Sequence, residues 1–404
     1  MSKQNTLIAE RMSLIKPSPT MAVTKMAAEM KAAGKDIIGL GAGEPDFDTP
    51  DHIKNAAIEA IKNGETKYTA VDGTPALKKA IAKKFYKDNS IKYNIDEIIV
   101  SVGGKQVLYN ALMSSINPGD EVIIPSPFWV SYPDMVSLAG GVPIIVEGKE
   151  KNNFKIQPDD IRDKISTKTK WIIINSPSNP TGSSYSAEEL RDIGNLLLEY
   201  ENIFVMSDDI YEKIIYDDFK FFSLAEVVPE LKDRILTVNG VSKAYAMTGW
   251  RIGYAGGPKH LITAMSKLQS QSTSNPSSIS QAAALAALEG PEEFLLERNE
   301  RFKTRRNMVV KMLNECNGLS CIKPSGAFYV YPSCSGIIGK SSKEGKLIEN
   351  SIDFSAYLLE SVGVAVVPGS AFGADPFFRI SYATSDSILE EACNRIKKVC
   401  EQLS

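Results

Sequence analysis

The chain has 404 residues, 43% hydrophobic and 24% charged, with a formal net charge of −3. That length suffices for two domains and a large buried core. The slightly acidic balance, with no basic run or stripe, argues against general nucleic-acid binding. No stretch approaches the roughly 20 apolar residues of a membrane span. Met1-Ser2-Lys3-Gln4-Asn5 also lacks the apolar core of a secretory signal. A cytoplasmic enzyme, with no membrane or nucleic-acid partner, is the expectation.

Taken in chain order, the N-terminal arm carries Lys16-Pro17-Ser18-Pro19-Thr20, and a Gly-rich stretch leads into Gly43-Glu44-Pro45-Asp46-Phe47. Thr49-Pro50-Asp51 opens a helix, with His52 just inside it. From about residue 50 to 290, short apolar runs rich in β-branched residues alternate with helical patterns. Glu97–Val100 reads as a strand and Gly103-Gly104-Lys105-Gln106 as the helix start after it. Glu121–Ile124 is the next strand, followed by Pro125-Ser126-Pro127-Phe128-Trp129. Trp171–Ile174 leads to Asn179-Pro180-Thr181-Gly182, and Ile203–Met206 to Asp208-Asp209-Ile210-Tyr211. Ile235–Val238 leads to Gly240-Val241-Ser242-Lys243, with Gly249-Trp250-Arg251-Ile252-Gly253 behind it. This alternation predicts an α/β fold, a mainly parallel sheet with helices on both faces. After about residue 300 the pattern changes. A long charged helix is predicted over 300–314, a strand over 326–330 and a surface loop over 335–346. Arg379 follows Asp375-Pro376-Phe377-Phe378 in an aromatic and apolar strand. A buried Arg there calls for an anion.

The chain is poor in the usual proton carriers. Its two histidines, His52 and His260, read as solvated, at a helix start and a surface turn. Ser–His and Cys–His catalysis are therefore poorly supported. Its five cysteines, Cys316, Cys321, Cys334, Cys393 and Cys400, lack a Cys-x-x-Cys pair and read as free thiols, with no metal site. A lysine of lowered pKa can carry protons instead. Open α/β sheets bind ligands at the carboxyl ends of their strands. Three successive strand ends thus bring Asn179, the Asp208 and Tyr211 pair, and the Lys243 and Arg251 pair to one crevice. Such a set could hold pyridoxal phosphate, with Lys243 as its attachment point and Asp208 paired to the pyridinium nitrogen.

With these motifs in this order, the chain resembles the fold-type I pyridoxal-phosphate aminotransferases of the aspartate aminotransferase family. The likeness runs from Lys16-Pro17-Ser18 to Phe378-Arg379-Ile380-Ser381-Tyr382 and is strongest to the bacterial branch that transaminates aspartate and, in some members, prephenate. The resemblance implies a large cofactor-binding domain over 48–298. It also implies a small domain made of 1–47 and 299–404, a discontinuity that spacing alone does not show. It implies that Gly103, Gly104, Lys105, Ser242 and Arg251 surround the cofactor phosphate, joined by Tyr68 from a partner subunit in a homodimer. Trp129 would stack on the pyridine ring and, with Asn179, help bind the substrate, while Tyr211 and Asn179 would donate to the phenolic oxygen. Arg379 and Gly43 would meet the substrate α-carboxylate. Lys105 would meet a distal carboxylate, and Lys16 is linked to prephenate use. The resemblance further implies Lys243 as the catalytic residue, with amino acids and 2-oxo acids as the small-molecule partners. Asp209 departs slightly from the family pattern, which often has Glu there.

Three rivals share parts of this pattern. A dinucleotide-binding dehydrogenase fails at Gly39-Leu40-Gly41-Ala42-Gly43-Glu44, where the fingerprint's last glycine position is Glu44. A cofactor-binding regulator needs a basic DNA-binding module that the chain has no room for. A lyase, or an aminotransferase using alanine or aromatic donors, is the nearest alternative, and reaction products distinguish these.

Overall fold

Residues 7–343 and 345–404 are described by the computed structural model. The strands are β1 (Ile38–Gly39), β2 (Ile98–Ser101), β3 (Glu121–Ser126), β4 (Val142–Glu147), β5 (Thr169–Asn175) and β6 (Phe204–Asp208). They continue with β7 (Ile235–Gly240), β8 (Gly253–Gly256), β9 (Tyr329–Val330), β10 (Val364–Ala365), β11 (Val367–Pro368) and β12 (Phe378–Ser381). The main sheet has seven strands in the order β2-β8-β7-β6-β5-β3-β4. All pairings are parallel except those of β8, which runs against both neighbours.

The apolar runs become strands because each can be buried on both faces. On one face Ile98, Val100, Ile123, Ile172, Ile174, Val205 and Ile235 join one core. On the other face Ile99, Val122, Ile124, Ile173, Met206, Leu236 and Val238 join a second. The period of two between these sets is that of a pleated strand. A third core gathers Leu40, Phe302, Val309, Phe328, Val330, Phe354, Ile380 and Ile396, most of them from the last quarter of the chain. Among the described residues no helix is long and apolar enough to cross a membrane.

The chain places β4 on one side of β3 and β5 on the other, so the strand order reverses between β3 and β5. Crevices open at such points, beyond the carboxyl ends of the strands. Register aligns Asn175 with Asp208, and Asp208 with Val238, so three strand ends lie side by side.

Some local expectations shift. The long helix spans Glu293–Asn314, about two turns more than predicted. Glu293 suits its first turn, where an acid meets the positive end of the helix dipole. The strand expected over 326–330 shrinks to β9, because Ala327 takes a left-handed φ of 56° that no strand accommodates. His260 lies in the helix Lys259–Ser270 rather than on a turn and is exposed as expected. His52 lies on the helix Asp51–Lys62, but its Nε2 is buried without a partner rather than solvated. The helix Ser278–Glu289 packs against its own helix and covers it. The five cysteines are free and buried.

Candidate active site

Lys243 lies three residues beyond β7, half-buried, with its Nζ donating to the Gly43 carbonyl at 2.6 Å. Burial, then the Arg379 charge, lowers its pKa to about 8. It thus holds a neutral amine far nearer to neutral pH than an ordinary lysine does. The rings of Tyr211 and Phe328 lie 5.8 and 6.0 Å from Nζ.

Asp208 ends β6 and is buried. Tyr132 Oη donates to its Oδ2 at 2.5 Å. Burial pushes its carboxyl up to about 6, with Tyr132 and the Ile210 N–H pulling the other way. A carboxylate so placed gains from a cation beside it. Asp209 is buried too and is pushed up to about 7, but it takes its hydrogen bond from Ser207 Oγ at 2.7 Å.

Arg379 on β12 is fully buried. Its Nη1 donates to Asn179 Oδ1 at 2.8 Å and its Nη2 to the Gly41 carbonyl at 2.6 Å. The guanidinium stacks 4.6 Å from the Tyr329 ring and 5.0 Å from Phe372. No Asp or Glu pairs with it among the described residues, and its Nε is buried without a partner. A buried cation lacking an anion, with a donor unused, is suited to take a carboxylate. Tyr329 Oη lies 2.9 Å from Tyr211 Oη, closing this wall.

Gly103 caps the helix Gly104–Ser115 with φ at +83°, a conformation glycine adopts without strain. A Cβ on Gly103 would meet Arg251 Nη2 at 2.5 Å, and one on Gly253 would meet the Gly104 nitrogen at 2.1 Å. Only glycines let the helix N-terminus, β8 and the Arg251 guanidinium close up this far. Free N–H groups, the helix dipole and an Arg form an anion cradle. Ser242 is buried next to Lys243. Lys105, one residue into that helix, stands 4.7 Å from the Trp129 ring. Partial burial, then the Arg251 charge, lowers its pKa. Trp129 meets Tyr132 edge-on at 5.3 Å and with it lines the crevice beside Asn175 and Asn179.

Contacts thus join Lys243, Gly43, Arg379, Asn179, Tyr211, Asp208, Trp129, Lys105, Arg251, Gly103 and Gly104. Two predicted residues stand apart. Tyr68 is 92% exposed on the protomer surface. Lys16 is exposed, and its charge acts on Asp134 in the helix Ser131–Leu138. Sequence reasoning passed over Tyr132, Tyr329 and Asn175. Tyr132 follows Trp129 by three residues, and Asn175 is the last residue of β5. Its amide donates to the Asp208 carbonyl at 2.8 Å and its Oδ1 accepts the Asn179 N–H at 2.9 Å. A polar residue ending an apolar run was the available signal.

Residues 35–396 match the model of the family described as aminotransferase class I and II. The chain belongs to that family. The aminotransferase is 57% identical to a probable aspartate/prephenate aminotransferase of Rickettsia felis, over 99% of this chain and 98% of that protein. It is also 57% identical to an aspartate/prephenate aminotransferase of Cereibacter sphaeroides, over 98% and 99% of the two chains. Among solved structures, the aspartate aminotransferase of Rhizobium meliloti superposes with a TM-score of 0.96 at 54% identity, covering 98% of this chain and 99% of that one. The Thermus thermophilus aspartate aminotransferase with maleate gives 0.91 at 43%, covering 97% and 99%. The expected fold and family both hold.

Proposed function

We propose that this aminotransferase moves the amino group of aspartate to 2-oxoglutarate, giving oxaloacetate and glutamate, and that it also converts prephenate to arogenate. The observation that carries the carboxylic substrate class is Arg379, a buried guanidinium with no acid partner among the described residues and an unused Nε, beside the Lys243 amine. The names of the relatives support aspartate and prephenate.

The residues present fit pyridoxal phosphate. Gly103, Gly104, Ser242 and Arg251 would hold its phosphate in the anion cradle. Asp208 would pair with its ring nitrogen, Tyr211 and Asn179 would donate to its phenolic oxygen, and Trp129 would cover the ring. Lys243 would link to its aldehyde. When bound, the group supplies an electron sink for the substrate carbon that loses its proton. The chain supplies the rest. Arg379 grips the α-carboxylate, with Asn179 and Gly41 fixing the guanidinium. Lys243 Nζ, once free, takes the proton from the substrate Cα.

Lys105 is proposed to meet the distal carboxylate, and Lys16 to favour prephenate. Losing a charged hydrogen bond costs about 1.5–3 kcal/mol, or roughly ten- to a hundredfold in kcat/KM. Lys105→Ala should weaken aspartate and glutamate by that factor and spare alanine. Lys16→Ala should hurt prephenate more than oxaloacetate. A panel of amino donors and 2-oxo acceptors with purified protein measures both. Equal losses for aspartate and alanine in Lys105→Ala would rule out the distal contact. Formation of ammonia instead of a new amino acid would indicate a lyase.

A homodimer is also proposed, with the large domain spanning 48–298 and the small one 1–47 plus 299–404. Its support is the 92% exposure of Tyr68, an aromatic the resemblance assigns to the partner's phosphate cradle. Twofold dimers are also the commonest oligomers. Mixing inactive Tyr68→Ala with inactive Lys243→Ala should restore about a quarter of full activity after subunit exchange, since half the subunits pair into heterodimers with one intact site. No recovery despite demonstrated exchange would place Tyr68 outside the partner's site.

A further inference from the structure

Lys243 and Arg379 both lean on one irregular segment, the strap 41–48 between β1 and the helix Asp51–Lys62. The Gly41 carbonyl accepts from Arg379 Nη2 and the Gly43 carbonyl from Lys243 Nζ, each at 2.6 Å. Glu44 Oε2 accepts from Thr248 Oγ1 at 2.9 Å. The strap lies tight against the site wall, since a Cβ on Gly43 would meet Tyr329 Oη at 2.9 Å. It belongs to no strand or helix, so its carbonyls stay in place only as far as its side chains are anchored.

The anchor is one face of the long helix Glu293–Asn314. Phe294, Arg298, Phe302 and Arg305 follow at spacings of four, four and three, which forms a single stripe on a helix. Arg305 is buried and forks both Nη atoms onto the Asp46 carboxylate at 2.8 and 2.9 Å, while its Nε donates to Asp386 Oδ1 at 2.9 Å. Phe47 packs edge-on against Phe302 at 5.2 Å, with the Arg298 guanidinium 5.0 Å from its ring. Arg298 Nη2 donates to the Asp48 carbonyl at 2.6 Å. The next arginine provides a comparison. Arg306 is equally buried and forks onto Asp217, both bonds at 3.0 Å, but it also holds the Pro324 carbonyl and touches no part of the strap.

We propose that Arg305 is a positioning residue for the reaction: through Asp46 it holds the strap where the Gly41 carbonyl orients Arg379 and the Gly43 carbonyl receives the Lys243 amine whenever that amine is free. This role rests on the transamination reading of the site. An unanchored strap lets the Arg379 guanidinium turn, so the first loss is in substrate binding.

Asp46→Asn and Asp217→Asn make a matched pair in the holoenzyme, each taking one charge from a forked pair on consecutive residues of the same helix. Asp46→Asn should raise KM for aspartate about tenfold, with a smaller change in kcat. Amide hydrogen exchange at Ala42, Gly43 and Glu44 should quicken by about the same factor. Asp217→Asn should leave KM and strap exchange unchanged, whatever it does to the melting temperature. Unchanged KM in Asp46→Asn, unchanged exchange in the strap, or an equal KM rise in Asp217→Asn overturns the proposal. If the unmutated protein transaminates no donor, the functional reading falls, and the exchange comparison alone decides whether Arg305 anchors the strap.

Discussion

Lys243→Ala should fold, bind cofactor and lose turnover by about 10⁴-fold, because on the proposed reading one substitution removes the covalent anchor and the proton carrier together. The amine sits in a site that lowers its pKa to about 8, so the protonated fraction falls as pH rises through 8. Only the neutral amine accepts a proton. Turnover limited by that transfer should rise with pH and level off above about 8 in the unmutated enzyme. The inflection should be absent from the residual activity of the variant. Borohydride reduction of the holoenzyme and peptide mapping checks the assignment directly. Reduced cofactor on any other lysine would refute it.

Arg379→Ala is the second large effect. Truncating one partner of a desolvated charge pair costs roughly 2–5 kcal/mol, so kcat/KM should fall by about 10³-fold. The signature is its breadth. Every amino acid presents an α-carboxylate, so aspartate, glutamate and alanine should lose alike. Lys105→Ala should instead separate substrates with two carboxylates from those with one. Steady-state kinetics with the three donors decides this. An Arg379→Ala enzyme that lost aspartate and kept alanine would move Arg379 to the distal carboxylate. Asn179 Oδ1 and the Gly41 carbonyl would lose their guanidinium donor in this variant, so part of the loss should appear in KM through disorder of the wall.

The large effects fall on residues that were legible in the chain before any fold was known. Lys243, Asp208, Tyr211 and Asn179 each follow an apolar run, and a parallel sheet gathers strand ends at one edge by its connectivity. Arg379 stood out as a charge in an aromatic strand. The structure adds that no acid among the described residues accompanies it, which a sequence does not reveal because a partner could come from anywhere in the chain. Tyr132 and Tyr329 were passed over for the same kind of reason. Each is an ordinary aromatic in its own segment and gains meaning only from a contact 76 or 118 residues away, Tyr132 with Asp208 and Tyr329 with Tyr211.

The chain by itself therefore determined the strand-and-helix alternation, the strand-end chemistry and the choice of glycine at the helix start, since all of these are local and follow from side-chain period and backbone freedom. The tertiary structure alone decided how far each pKa moves, because desolvation depends on what packs around a group and not on its neighbours in sequence. It alone shortened the strand at 326–330, where Ala327 turns left-handed within a packed core. It also set Asp46, which looks in sequence like an ordinary surface acid, against Arg305 across 259 positions of chain, an ion pair that no local pattern encodes.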